Sequence, residues 1–103
     1  MNDAKFSGLL GLCRKANKLS IGHDESKASV KSGKASLCLL SGDSSERLKK
    51  EFKTLCEENG TELTVLPYKT EQFAFIIGSK AAVITVNDDG FSQKLMTYRE
   101  ENV

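Results

Sequence analysis

Hydrophobic and polar residues alternate along the chain with two different periods. Apolar residues three or four positions apart, which is the spacing of one face of a helix, recur in five segments. This spacing predicts helices over 5–16 and 23–32, between Asp43 and Asn59, between Thr70 and Gly78, and from Asn87 or Asp88 through Tyr98. Short apolar runs predict strands over 19–21, 35–40, 62–66 and 81–86.

The run Leu37–Leu40 is apolar at every position, which predicts a central strand covered on both faces. Helices and strands alternate along the chain, and this order favours a layered α/β sandwich around a four-stranded sheet. Helix-linked crossovers favour some parallel pairing, so we expect a mixed sheet with the short first strand at one side.

Several residues are suited to begin or end the predicted helices. Asn17 fits a left-handed stop after the first helix, and Gly60 fits one after the third. Asp43 and Glu46 resemble a capping box, and Thr70 is suited to cap the fourth helix.

Length and composition indicate one domain over residues 1–103. The chain is 39% hydrophobic and 28% charged, without a linker or an apolar run of the roughly 20 residues that a membrane helix requires. We expect a soluble cytoplasmic protein with no membrane partner. Cys13, Cys38 and Cys56 lack Cys-x-x-Cys spacing and resemble buried apolar residues, and His23 is the only histidine. We therefore expect no metal site and no cofactor.

The net charge of +1 conceals an asymmetry between the two parts of the chain. Residues 1–36 carry seven basic and three acidic side chains, a net charge of +4, whereas the remainder carries −3. An electropositive surface is therefore expected, although solvated helix faces would give the same count.

The turn at Gly22 opens a helix within this basic part. Backbone N–H groups at a helix start favour oxygen acceptors, and Glu25 can accept hydrogen bonds from guanine edges. Ser26 is expected to donate to phosphate or base acceptors. The cations expected to hold a phosphate backbone are Lys18, Lys27 and Lys31. The alternative is a glycine-initiated helix with ordinary surface charge.

Nothing in the sequence indicates catalysis. No nucleophile stands in a pattern with a base, and Asp88 and Asp89 are expected to serve a helix start. The segment 41–45 lacks the spacing of a phosphate-binding Walker loop, so it is interpreted as a capping turn. We expect a protein that is not an enzyme.

From Leu9 to about Leu95 the chain resembles the kink-turn RNA-binding ribosomal protein family, the L7Ae and L30e group, and especially its short bacterial YlxQ-like members. The order and spacing of several segments carry this resemblance. They are Leu9–Leu12, Arg14–Leu19, Ile21–Gly22, Lys31–Ala35, Leu37–Leu40, Asp43–Ser45, Lys49–Lys50, Ile77–Lys80 and Asp88–Phe91.

The resemblance implies a three-layer α/β/α sandwich and recognition of bent RNA helices by the turn after the first strand. In many members that turn has the sequence Gly-x-Asn-Glu-x-x-Lys. Gly22 and Glu25 match it, whereas Asp24 replaces the asparagine and Ala28 the lysine. A second RNA-facing loop corresponds to residues 78–81. The residue pattern and the resemblance together predict an RNA-binding site formed by Lys18, Gly22, His23, Asp24, Glu25, Ser26, Lys27, Lys31, Ser79 and Lys80.

Two hypotheses follow for the function. The first is non-enzymatic binding of structured, kink-turn-like RNA, associated with the ribosome or translation, with no DNA partner expected. The second is a protein-interaction module on the same fold that has lost tight kink-turn recognition, as Asp24 and Ala28 would indicate.

Overall fold

A computed structural model describes residues 1–102 of the chain. Five helices and four strands alternate along it, as the sequence pattern predicts. The elements are α1 Asp3–Lys15, β1 Leu19–Ile21, α2 His23–Lys31, β2 Leu37–Leu40, α3 Glu46–Asn59, β3 Glu62–Val65, α4 Thr70–Ile77, β4 Val83–Val86 and α5 Asp89–Glu100.

The four strands form one mixed sheet in the order β1-β4-β2-β3. Strand β2 pairs in parallel with β3 and antiparallel with β4, and β4 pairs antiparallel with β1. The predicted mixed sheet, the central position of β2 and the lateral position of β1 are therefore confirmed.

Alternate side chains of β2 enter two separate cores. Leu37 and Leu39 pack with apolar residues of α1, α4 and α5, while Cys38 and Leu40 pack with Val30 of α2 and Phe52 of α3. Because each face of a strand receives every second residue, an uninterrupted apolar strand requires a helical layer on both sides. The result is the expected three-layer α/β/α sandwich.

Two predicted strands begin later in the structure than in the sequence pattern. Strand β2 begins at Leu37 because the Ala35 N–H still donates to the Ser29 carbonyl at the end of α2. Strand β4 begins at Val83 rather than at Ala81. Helix ends agree more closely, since Asn17 has a φ of 59° and Gly60 a φ of 68°. A left-handed residue ends each of these two helices.

The helix caps differ in part from those the sequence predicts. Asp43 does not form a capping box with Glu46, because Ser45 caps α3 by accepting the Leu48 N–H at 3.1 Å. The Asp43 carboxylate instead accepts the backbone N–H and the hydroxyl of Thr70, each at 3.0 Å, at the start of α4. This interaction joins the loop between β2 and α3 to the start of α4, 27 residues farther along the chain.

Of the two residues proposed to cap α5, Asp88 does so by accepting the Phe91 N–H at 2.8 Å. The interpretation of the acid at position 88 as a helix cap is therefore confirmed. None of the helices within residues 1–102 is long and apolar enough to span a membrane.

We expect opposite effects on stability from alanine at two glycines. A Cβ at Gly42 would lie 2.7 Å from the Leu66 carbonyl oxygen, so Gly42→Ala should lower the free energy of unfolding by about 1–3 kcal/mol. A Cβ at Gly8 in α1 meets no atom within 4 Å. Gly8→Ala should therefore raise the free energy by about 0.5–1 kcal/mol, since alanine favours helix over glycine. Urea unfolding of both variants measures the difference, and equal values would contradict the steric argument.

Candidate functional site

Gly22 directs the chain from β1 into α2. Its N–H donates to the Val83 carbonyl at 3.0 Å, and its φ of 96° places it in a region that L side chains rarely adopt. Gly22 is also the N-cap of α2, and no side chain in residues 1–102 caps that helix. The first-turn N–H groups of α2 therefore have no side-chain acceptor within the described residues.

The loop between α4 and β4 adjoins this turn. Because Ile21 pairs with Ile84 and the Gly22 N–H reaches Val83, residues 78–82 lie at the same end of the sheet as Gly22. Ser79 in this loop is half-buried and Lys80 is exposed. The structure therefore brings Gly22, Ser79 and Lys80 to one end of the molecule.

The face of α2 that meets the sheet contains Ser26. Ser26 is fully buried, and its hydroxyl donates to the Ser20 carbonyl at 3.3 Å. The expectation that this hydroxyl donates to phosphate or base acceptors is therefore wrong, because its proton already serves the backbone of β1. Residue 26 helps to place the turn and is not part of the surface.

A second face of α2 is turned toward α3 and contains His23, Lys27 and Lys31. The Glu51 carboxylate of α3 lies 2.9 Å from His23 Nε2 and 3.7 Å from Lys27 Nζ. Lys31 lines a shallow cleft between the two helices together with Lys27 and Glu58. Two predicted RNA-binding residues, His23 and Lys27, are therefore already paired with a carboxylate.

The third face of α2 forms one wall of a groove along the edge strand β1. The groove has a volume of about 530 Å³. It is lined by Ser20, Asp24, Glu25, Ala28, Ser29, Ser32, Lys34 and Asn87. Asp24 and Glu25 both contribute to this lining, as does Ala28. Glu25 is exposed and forms no salt bridge within the described chain, so its carboxylate is open to a ligand.

Lys18 lies at the end of β1 opposite Gly22. Its carbonyl accepts the Asn87 N–H at 2.8 Å, and Asn87 lines the groove together with Lys34. The basic residues predicted as one cluster therefore divide between two ends of α2. Lys18 and Lys34 lie where the helix ends, and Lys80 lies where it begins.

A hydrogen-bonded network beneath the groove fixes α2 to the sheet. The Asn87 side-chain oxygen accepts the hydroxyls of Ser29 at 2.9 Å and Thr85 at 3.2 Å. Its amide donates to the Ser20 hydroxyl at 2.9 Å, and Ser20 in turn donates to Ser29. From the sequence pattern, Asn87 is predicted only as a helix cap. The polar residue Thr85 within the apolar strand β4 was the one available signal that a buried partner exists.

The pKa values of two side chains are shifted where α2 meets α3. Hydrogen bonds to Glu51 and then to Asp24 raise the pKa of His23 above its ordinary value near 6.5. The same contact with His23 lowers the pKa of Glu51 below its ordinary value near 4.5. The imidazole also packs edge-on against Phe52, with ring centroids 5.5 Å apart.

The cysteines and acids form no site of their own. Cys13, Cys38 and Cys56 are buried, as the sequence predicts, and each is a free thiol; burial raises the pKa of the Cys13 thiol to about 11. Within residues 1–102, no three His, Cys, Asp or Glu side chains are grouped so as to hold a metal ion.

Comparison with known proteins places this geometry in a family. The model of the ribosomal protein L7Ae/L30e/S12e/Gadd45 family matches residues 4–96, which is most of the chain. The chain belongs to this family. The edge strand, the Gly22 turn and α2 all lie within the matched part.

Individual relatives extend over nearly the whole length. The RNA-binding protein YlxQ of Bacillus subtilis (strain 168) is 28% identical over 102 residues, covering 94% of this chain and 97% of that protein. A Bacillus halodurans protein of unknown function is 31% identical, with a TM-score of 0.90 over 95% of this chain and 99% of that one. The Giardia lamblia 15.5kD RNA binding protein, at 14% identity, shares the fold with a TM-score of 0.76, covering 93% of this chain and 82% of that one.

Asn87→Ala is expected to destabilise the fold by removing the centre of the network. The hydroxyls of Ser29 and Thr85 would lose their acceptor, and an unpaired buried polar group costs about 1–3 kcal/mol. Asn59→Ala is the matched control, because Asn59 is exposed and its amide bonds only a carbonyl of its own helix. The control should change the free energy of unfolding by less than about 0.5 kcal/mol. Equal losses in the two variants would show that the network contributes little.

The His23–Glu51 pair is expected to make stability depend on pH. The stabilisation that protonated His23 gives the folded state is fully present below pH 6.5 and is lost as the pH rises through the raised pKa of His23. On the acid side, the contribution of Glu51 is lost as the pH falls through its lowered pKa, below 4.5. His23 is exposed and Glu51 is half-buried at the surface, so the pair contributes about 0.2–1 kcal/mol.

An NMR titration of the single histidine tests this assignment. Glu51→Gln should return the pKa of His23 toward its ordinary value, whereas Glu58→Gln, farther along α3, should leave it unchanged. A His23 pKa that is the same in the wild type and in Glu51→Gln would contradict the pairing.

Proposed function

We propose that this protein binds structured RNA, without catalysis, through the start of α2 and the groove along β1. The observation that carries the proposal is the free N-terminus of α2 at the Gly22 turn. In each of the other helices of residues 1–102, a side chain accepts a hydrogen bond from a first-turn backbone N–H. The accepting side chains are those of Asn2 for α1, Ser45 for α3, Asp43 for α4 and Asp88 for α5. The start of α2 is thus left for phosphate or base oxygens.

The charges around the groove support an anionic polymer as the ligand. Lys80 lies beside the turn, and Lys18 and Lys34 lie near the other end of α2. Nine helical residues span about 13 Å, so these cations can hold the backbone on both sides of a base that enters between them. Lys27 contributes less, because Glu51 already offsets its charge.

Glu25 is the residue proposed to read the RNA. Its carboxylate is exposed in the groove and accepts hydrogen bonds only, which suits the N–H edge of a guanine. We propose that the ligand is a kink-turn-like RNA helix, ribosomal or otherwise associated with translation in the cytoplasm. The similarity to YlxQ, an RNA-binding protein, supports RNA as the ligand.

Asp24 and Ala28 favour the second candidate, a protein-interaction module that has lost tight kink-turn recognition. Asp24 places a further negative charge where phosphates would lie, and Ala28 presents only a methyl group to the groove. Under this alternative the wild type would retain no structured RNA, and its partners would survive ribonuclease treatment.

Changes on the groove face test the RNA proposal. Asp24→Asn with Ala28→Lys should tighten binding of a kink-turn RNA, because one repulsive charge is lost and one cation is gained. The slope of log K against log salt should steepen by about 0.7–0.9 for the added lysine. Glu25→Ala should weaken kink-turn binding by about tenfold or more and leave binding of a plain duplex unchanged.

Filter binding at several salt concentrations provides the measurement, and Lys53→Ala is the control. Lys53 is an exposed lysine of α3 outside the groove, so its loss should alter affinity little. The proposal is overturned if the wild type retains no structured RNA. The assignment of Glu25 is overturned if its loss weakens duplex and kink-turn binding equally.

A further inference from the structure

The helical layer opposite α2 contains a second groove, between α1 and α4. Its volume is about 610 Å³, within the range of sites that bind side chains or small ligands. It is lined by Asp3, Ala4, Ser7, Tyr68, Glu71, Gln72, Phe75 and Ile76. None of these residues belongs to the RNA-binding surface proposed above, so the inference that follows is independent of it.

The groove is held open by contacts at its two ends. At one end the Tyr68 hydroxyl donates to Asp3 Oδ1 at 3.1 Å. At the other end the helices approach closely, since a Cβ at Gly11 would lie 3.6 Å from the Ile76 carbonyl oxygen. Between these points α1 presents only the small side chains of Ala4 and Ser7, which leave space above them.

Phe75 lines this groove and is almost entirely exposed. The residue is 91% exposed, more than any other large hydrophobic residue in the described chain. Single exposed apolar residues are common on protein surfaces. Phe75 differs because its ring borders a groove that continues through the half-buried Ile76 into the core.

The charged side chains of the groove are both acidic. Asp3 and Glu71 line it, and neither forms a salt bridge within residues 1–102. Lys5, the basic residue nearest to Asp3 in sequence, is directed instead at the Tyr98 ring, 5.6 Å from its centroid. An apolar surface bordered by carboxylates that have no cationic partner is complementary to an apolar side chain flanked by lysine or arginine, and it repels phosphate.

We propose that the α1–α4 groove docks a basic segment of a partner protein. An apolar side chain of that segment packs on Phe75 and Ile76 above Ala4, and its lysine or arginine side chains pair with Glu71 and Asp3. Phe75 is proposed as the residue that contributes most to binding, because aromatic side chains at the centres of protein interfaces often do so. RNA bound at α2 and a protein bound here would occupy opposite faces of the sheet.

A random-peptide library displayed on phage tests this proposal with the full chain as the target. Selected peptides should combine an apolar residue with net positive charge, and their amide shift changes should map to α1 and α4. Phe75→Ala should weaken a selected peptide by about tenfold or more. Glu71→Gln should weaken it severalfold, and more so at low salt.

Matched variants separate this docking from non-specific attraction. Leu12→Ala removes another exposed apolar residue and Glu57→Gln another exposed acid, both outside the groove, and neither should change peptide affinity. Selection of no peptide or of acidic peptides, or peptide binding that survives Phe75→Ala, would overturn the proposal. So would a dimer that Phe75→Ala dissociates, since a second copy would then occupy the groove. Loss of RNA binding in Phe75→Ala would likewise overturn it, because the Phe75 ring would then contact a base of the RNA.

Discussion

Burial of both faces of the two central strands is the constraint from which the architecture follows. Leu37–Leu40 and Val83–Val86 are buried at every position, and their alternate side chains belong to different cores. One core lies on each face of the sheet, and each needs a layer of helices to cover it. The chain therefore folds into three layers, with the sheet between two helical layers. The lateral strands β1 and β3 are not buried at every position. Strand β1 is half-buried throughout, which leaves its outer edge open as the floor of a groove.

At that edge, polar contacts replace apolar packing. Asn87 bonds side chains from β1, α2 and β4 at once, so the position of α2 above the edge strand is set by directional hydrogen bonds. Such a network specifies one geometry more narrowly than apolar contact does, because each partner must meet distance and angle requirements. The Gly22 turn and the free N–H groups of α2 depend on this placement. Its stability is therefore directly relevant to the proposed recognition of RNA.

The two helical layers present surfaces of opposite chemical character. The layer with α2 offers free backbone donors and cations around a polar groove, although Asp24 and Glu25 lie among them. The other layer offers an exposed aromatic ring bordered by the carboxylates of Asp3 and Glu71. A chain with a net charge of +1 thus separates the surface proposed to bind RNA from the one proposed to dock a basic segment.

Local sequence determined the elements, their order and the layered sheet, because side-chain periodicity and glycine or asparagine stops act within one segment. The start of α2 at Gly22, the place of Glu25 in its first turn and the central position of Leu37–Leu40 were predicted in this way. Only the tertiary structure decided which way each polar side chain faces. Ser26 is buried beneath α2, Lys27 meets Glu51, and Asp43 serves the start of a helix 27 residues away. Asn87 and Ser29 are 58 residues apart, and no local pattern encodes that distance, because such contacts form only when the packed core brings separate segments together.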